Sequence, residues 1–155
     1  MRRTISTVVV MAVASLFLLS LGCATSKISP PKTPLVFPNI LKTPIVISGS
    51  YFKPNEIVVV DLVLPPGVEI PGAEKGDDVG LAFAAADDKG NFSATVDGSA
   101  KLNFLFRVKW LPTMKPDPKT LNPLPPDTYK LKVTGMESGR SVTVPWEILP
   151  APEKK

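Results

Sequence analysis

Ser141-Val142-Thr143-Val144-Pro145-Trp146-Glu147-Ile148-Leu149 alternates apolar and polar residues almost without a break. Val142, Val144, Trp146 and Ile148 fall on one side, with Ser141, Thr143, Pro145 and Glu147 on the other. Successive side chains of an extended chain point to opposite faces, so this pattern predicts a strand with one face buried. Pro145 cannot donate to a strand ladder, which places this strand at a sheet edge or at a bulge.

The same period of two runs back through the chain. Thr128–Val133 sets Tyr129, Leu131 and Val133 against Thr128, Lys130 and Lys132. In Lys101–Trp110, Leu102, Phe104, Phe106, Val108 and Trp110 share one face, predicting a strand with a buried aromatic side. Ile45–Ser48, Ile57–Leu64, Val79–Ala86 and Phe92–Val96 complete a set of seven. Between the last two, Asp87-Asp88-Lys89-Gly90-Asn91 reads as a hairpin loop, with Gly90 supplying a positive φ and the Asp and Asn side chains bonding nearby amides. Seven short strands with proline-rich connections and no helical period predict an all-β fold, an antiparallel β-sandwich.

Three short motifs then carry a family resemblance. Gly49-Ser50-Tyr51-Phe52-Lys53-Pro54-Asn55-Glu56, running into Ile57-Val58-Val59-Val60, resembles the G-x-G-F-x-P-x-E-x-V-x-V opening of bacterial immunoglobulin-like modules, with Ser50-Tyr51 in place of the usual small-Gly pair. Asp87-Asp88-Lys89-Gly90-Asn91-Phe92-Ser93-Ala94 is similar to their D-x-x-G-x-F-x-A hairpin. Leu124-Pro125-Pro126-Asp127-Thr128-Tyr129-Lys130-Leu131 is similar to their L-x-P-G-T-Y-x-L, with Asp127 where Gly is usual. The resemblance implies an immunoglobulin-like sandwich over residues 44–150, followed by a polar tail at 151–155. It also implies that Tyr129 forms a tyrosine corner, its hydroxyl bonded to backbone a few residues upstream.

At the N-terminus, Arg2 and Arg3 precede an apolar run from Val8 to Leu21, closed by Leu19-Ser20-Leu21-Gly22-Cys23. The run is shorter than the ~20 residues that span a bilayer, which disfavours a transmembrane anchor. This arrangement resembles the lipobox of bacterial lipoproteins. The resemblance implies a signal peptide over residues 1–22, cleavage before Cys23, a lipid on the Cys23 sulfur, and acylation, palmitate for example, of the new amine. An ordinary secretory signal is the competing expectation. Ala24 after Cys23 resembles the pattern sent to the outer membrane where a cell has two membranes. Residues 23–43, with Pro30, Pro31, Pro34 and Pro38, read as a proline-rich tether, part of it packing along the domain through Leu35, Val36, Phe37, Ile40 and Leu41.

Composition narrows the chemistry. Losing Arg2 and Arg3 with the leader takes 18 basic residues to 16 against 14 acidic ones, and the formal charge from +4 to +2, too even for a nucleic-acid binder. The chain has no His, and its one Cys is Cys23. Triads, Cys-His nucleophiles and imidazole metal sites are therefore excluded, and no cofactor or metal site is expected. Asp77, Asp78, Asp87 and Asp88 are oxygen ligands of the type calcium takes, but they lack EF-hand spacing and read as turn residues. Paired carboxylates of the glycosidase type remain a formal alternative. Tyr51, Lys115 and Lys119 are the candidate partner-binding residues; Lys109, Lys115 and Lys119 flank the long Pro112–Pro126 connection. Tyr51, Phe52, Trp110 and Trp146 could form a sugar-stacking platform, although alternation turns both tryptophans inward. The expectation is a membrane-anchored, non-enzymatic binding or assembly module of the bacterial cell envelope with a protein or glycan partner. A carbohydrate- or peptidoglycan-binding lipoprotein is the alternative.

Overall fold

The structure, a computed structural model, describes residues 27–151 except Lys75 and Asp77. The leader, Cys23 and the end of the tail lie outside the described residues. Among the described residues eight strands form two sheets: β1 (Lys27–Ser29), β2 (Thr33–Pro34), β3 (Ile45–Ser50), β4 (Ile57–Val63), β5 (Val79–Ala85), β6 (Phe92–Val96), β7 (Asp127–Gly135) and β8 (Ser141–Leu149). One sheet has the order β1-β3-β6 and the other β2-β8-β7-β4-β5, every pairing antiparallel except β2 with β8. The inner faces meet in a core of Ile45, Ile47, Val58, Val60, Leu62, Leu131, Val133 and Trp146. The expected all-β, two-sheet sandwich architecture is observed.

Alternation placed the inward residues of β7 and β8 correctly. Tyr129 stands opposite Trp146 and Leu131 opposite Val144. β2 reaches β8 only at Ile148 and Leu149, so Pro145 meets β7 on one side and no strand on the other. That satisfies the edge requirement of a residue with no N–H.

Residues 27–43, expected as a tether that packs in part along the domain, go further and are built into both sheets: Lys27 pairs with Ser50, and Thr33 with Ile148. Leu35 and Ile40 are buried, and Phe37 packs edge-on against Phe106 with centroids 5.6 Å apart. The apolar side chains among the prolines thus decide the outcome over the extended-linker composition.

Two expectations are corrected. The Asp87–Asn91 turn does not close a hairpin: β5 pairs with β4 and β6 with β3, so the turn crosses from one sheet to the other. Lys101–Trp110 is not a strand. Gly98–Ala100 is a helical turn, continued by a wide π-type turn over Lys101–Leu105. The Asp97 carboxylate caps it, accepting from the Ala100 amide at 2.6 Å. Leu105 and Lys101, expected outward, are buried, while Trp110, expected inward, is 43% exposed. Leu102, Leu105 and Phe106 also have helical i, i+3, i+4 spacing, and the cap decided between the two periods. Lys101 donates from Nζ to the Thr43 carbonyl at 2.7 Å, and burial lowers its pKa against the opposing pull of Asp97.

The Tyr129 hydroxyl donates to the Pro125 carbonyl four residues upstream at 2.9 Å. Replacing it by Phe removes one partly buried hydrogen bond, so Tyr129→Phe should cost about 1 kcal/mol. Thermal unfolding reads this as a fall of a few degrees, and an unchanged Tm would show that the bond contributes nothing net.

Candidate binding surfaces

The strand directions divide the molecule into two ends. The turns 51–56, 86–91 and 136–140 cluster at one, which we call the near end; residues 36–44, 64–74 and 97–126 gather at the other, the far end. Of the three candidate partner-binding residues, Tyr51 belongs to the near end, and Lys115 and Lys119 to the far end. The structure brings the two lysines onto one loop and does not bring Tyr51 to them.

The far-end loop is an ordered hairpin. Leu111 N–H donates to the Lys115 carbonyl at 2.9 Å and Asp117 N–H to the Lys109 carbonyl at 2.9 Å, with Trp110 bridged to Pro116 between them. A turn closes the tip, where Met114 N–H donates to the Leu111 carbonyl at 3.0 Å. Pro112 occupies the second position of that turn, where its restricted φ suits it. Below the tip, Asp117 caps a short 3-10 turn, Pro118–Thr120, and the Thr120 hydroxyl oxygen accepts from the Lys109 amide at 2.9 Å. Arg107 clamps the returning chain, donating to the Asn122 carbonyl at 2.9 Å and to its Oδ1 at 2.8 Å. Buried Leu105, Phe106, Val108 and Leu124 root the whole excursion in the core.

What this hairpin exposes is apolar. Met114 is 82% exposed at the tip, and Trp110 and Leu111 are each 43% exposed. Trp110 is held by its indole N–H, which donates to Asn103 Oδ1 at 2.5 Å. Lys109, Lys115 and Lys119 are exposed around these side chains. A small cavity of about 80 Å³ lies beside the hairpin, lined by Phe37, Leu102, Val108, Pro118 and Leu121 among others. Sequence reasoning singled out the lysines and missed Leu111 and Met114. The signal present was the proline turn between them: residues so exposed at a turn have no strand face to fill.

At the near end the family-motif residues lock one another. Phe52 N–H donates to the Gly90 carbonyl at 3.0 Å, and the Phe52 and Phe92 rings meet edge to face at 5.3 Å. A side chain on Gly90, whose φ is +77, would strike the Phe52 carbonyl oxygen. Glu56 is fully buried. Its carboxylate accepts from the Lys53 amide at 2.6 Å, the Ser138 amide at 2.8 Å, the Ser138 hydroxyl at 2.9 Å and the Glu137 amide at 3.2 Å. Burial pushes the Glu56 pKa up, and the Ser138, Lys53 and Glu137 hydrogen bonds together outweigh it, leaving the carboxyl below its ordinary value. Gly135 leaves room for this group, since a Cβ there would sit 2.5 Å from Glu56 Oε1.

The other candidates resolve individually. Trp146 is buried, Trp110 and Tyr51 are exposed at opposite ends, and so the aromatics do not form one stacking face. Asp87 accepts from the Lys89 and Asn91 amides and from the Asn91 side chain, which lowers its pKa and occupies it as a turn residue. Asp78 pairs with Lys132 at 3.2 Å, and Asp77 lies outside the described residues. Among the described residues no three His, Cys, Asp or Glu side chains are grouped to hold a metal ion. A cleft of about 550 Å³ opens between β5 and β6, walled by Ala82, Phe83, Thr95 and Phe104 among others. Asp97 is its one ionisable lining residue. That wall offers apolar contact and no carboxylate pair.

No protein-family model and no curated protein matches the chain. Among solved structures it is similar to DesR, a β-glucosidase from Streptomyces venezuelae determined in complex with D-glucose, at 13% identity and a TM-score of 0.35. The alignment takes in 81% of this chain and spans 15% of the length of that one. So slight a likeness transfers neither fold family nor activity.

Proposed function

We propose that this chain is a lipid-anchored, immunoglobulin-like protein of the bacterial cell envelope that works as a non-enzymatic assembly module. In a cell with two membranes it belongs to the outer one. The lipobox-like Leu19–Cys23 supports the anchor; the Tyr129 to Pro125 bond and the Phe52, Gly90 and Phe92 cluster support the immunoglobulin-like reading of the sandwich. The observation that carries the binding role is the far-end hairpin. Exposed Trp110, Leu111 and Met114, ringed by lysines on a hydrogen-bonded support, form a preorganised apolar protrusion. Its chemistry fits a protein partner with an apolar socket and an acidic rim.

The test is in-cell photo-crosslinking from Thr113, an exposed position in the tip turn. One discrete protein adduct is expected in membrane extracts. Glycan-only adducts, or no adduct at wild-type expression, would overturn the assembly role of this loop.

A further inference from the structure

We infer that the sandwich stands on its own membrane by the near end, with the Trp110–Met114 hairpin held at the far end, away from the lipid. This rests on the lipoprotein reading of Cys23.

The first support is chain length. β1 begins at Lys27, paired with Ser50, the residue next to Tyr51 at the near end. Cys23 lies four residues earlier in the sequence, and an extended chain advances at most about 3.6 Å per residue, so the stem spans no more than about 14 Å. β7 alone has nine residues and separates the two ends by about 27 Å at the usual rise of a strand. A lipid on Cys23 therefore brings the near end to the surface, and an upright sandwich keeps the hairpin beyond reach of that bilayer.

Surface chemistry at the near end is the second support. Tyr51 is 50% exposed and Met136 62% exposed, and Met136 N–H donates to the carbonyl of Ile57, itself 44% exposed. Arg140 bonds the Tyr51 carbonyl through Nη1, tying the two turns together. Lys27, Lys53, Lys89 and Arg140 are exposed at this end. Glu137 pairs with Lys53 at 2.6 Å, Glu56 is held by its buried donors, and Asp87 and Asp88 lie beside Lys89, so the charges at this end are close to balanced. An interfacial tyrosine and methionine beside long basic side chains match the boundary of a bilayer, where rings sit at headgroup depth and ammonium groups reach phosphate.

The experiment uses the full, lipid-modified chain in vesicles of phosphatidylethanolamine and phosphatidylglycerol. Because Cys23 is the one cysteine and carries the lipid, Met136→Cys, Lys89→Cys and Met114→Cys each accept a single environment-sensitive fluorophore. Spin-labelled lipid should quench the probe at 136 and at 89 at least about threefold more than the probe at 114, while aqueous iodide shows the reverse order. Equal lipid quenching at both ends, or stronger quenching at 114, would overturn the orientation while leaving the anchor intact. Intact-mass measurement of the mature chain separates the two failures: without an acyl mass on Cys23, the lipoprotein reading falls and the orientation falls with it.

Discussion

Glu56→Ala should destabilise the fold by about 3 kcal/mol or more, lowering the thermal midpoint by about 10 °C. The residue looks dispensable in sequence, one acidic side chain in a turn. In the fold its carboxylate satisfies the amides of Lys53, Glu137 and Ser138 and the Ser138 hydroxyl, and so joins the β3–β4 turn to the β7–β8 turn across 82 residues. Removing it leaves those donors without an acceptor in a partly buried site, and each unsatisfied donor costs about 1–3 kcal/mol before water relaxes the loss. Glu56→Gln keeps one acceptor oxygen and should cost less. The sign of the pH dependence follows from the lowered pKa. A carboxyl more acidic in the folded state than its ordinary 4.5 stabilises fully above that value, and the stabilisation is lost as pH falls through the folded pKa. Denaturant unfolding between pH 7 and pH 3 should show wild-type stability falling below pH 4.5, with Glu56→Gln flatter over the same range. Parallel curves for the two proteins would show that Glu56 does not carry the acid sensitivity.

Trp146→Ala should cost about 3–5 kcal/mol, the usual range for emptying a fully buried aromatic site, and that is a large part of the stability of a single domain. Its second effect is more specific. The indole N–H of Trp146 donates to the Pro31 carbonyl at 2.8 Å and to Thr33 Oγ1 at 3.2 Å, and so pins the lead-in segment to β8. Trp146→Phe keeps most of the ring and deletes the donor. It should cost about 1–2 kcal/mol and open residues 30–44 to limited proteolysis while the rest stays resistant. If that segment remained protected, burial of Leu35 and Ile40 would suffice to hold it.

These two residues show where sequence reading stops. Trp146 was legible as core because it sits in an uninterrupted alternation, and alternation is a property of neighbouring residues along one chain. Its partner Pro31 was not legible, because a proline-rich run has the same composition whether it hangs free or lies along a sheet. Glu56 was visible only as a letter in a motif; its four donors come from residues 53 and 137–138. Lys101–Trp110 failed for another reason. Its apolar residues satisfy both a period of two and helical spacing, and the local cap on Asp97 chose the turn. Once the chain turned there, Trp110 was carried outward onto the hairpin, so one misread element moved a candidate core residue into the candidate site.

By itself, then, the sequence determined the class of fold, most strand positions, the turn at Gly90 and the Tyr129 contact, all set by alternation or by bonds within a few residues, though not that the Gly90 turn crosses between sheets. It also determined that imidazole chemistry is absent and that Cys23 is the one thiol. Tertiary structure alone decided which strands the segment from Lys27 pairs with, that Glu56 is a buried tie, and that Tyr51 and the lysine hairpin occupy opposite ends. Each of those outcomes depends on pairing residues distant along the chain, Lys27 with Ser50, Thr33 with Ile148 and Glu56 with Ser138. Such pairings are selected by the burial and hydrogen bonding of the whole sandwich, and no local pattern encodes them.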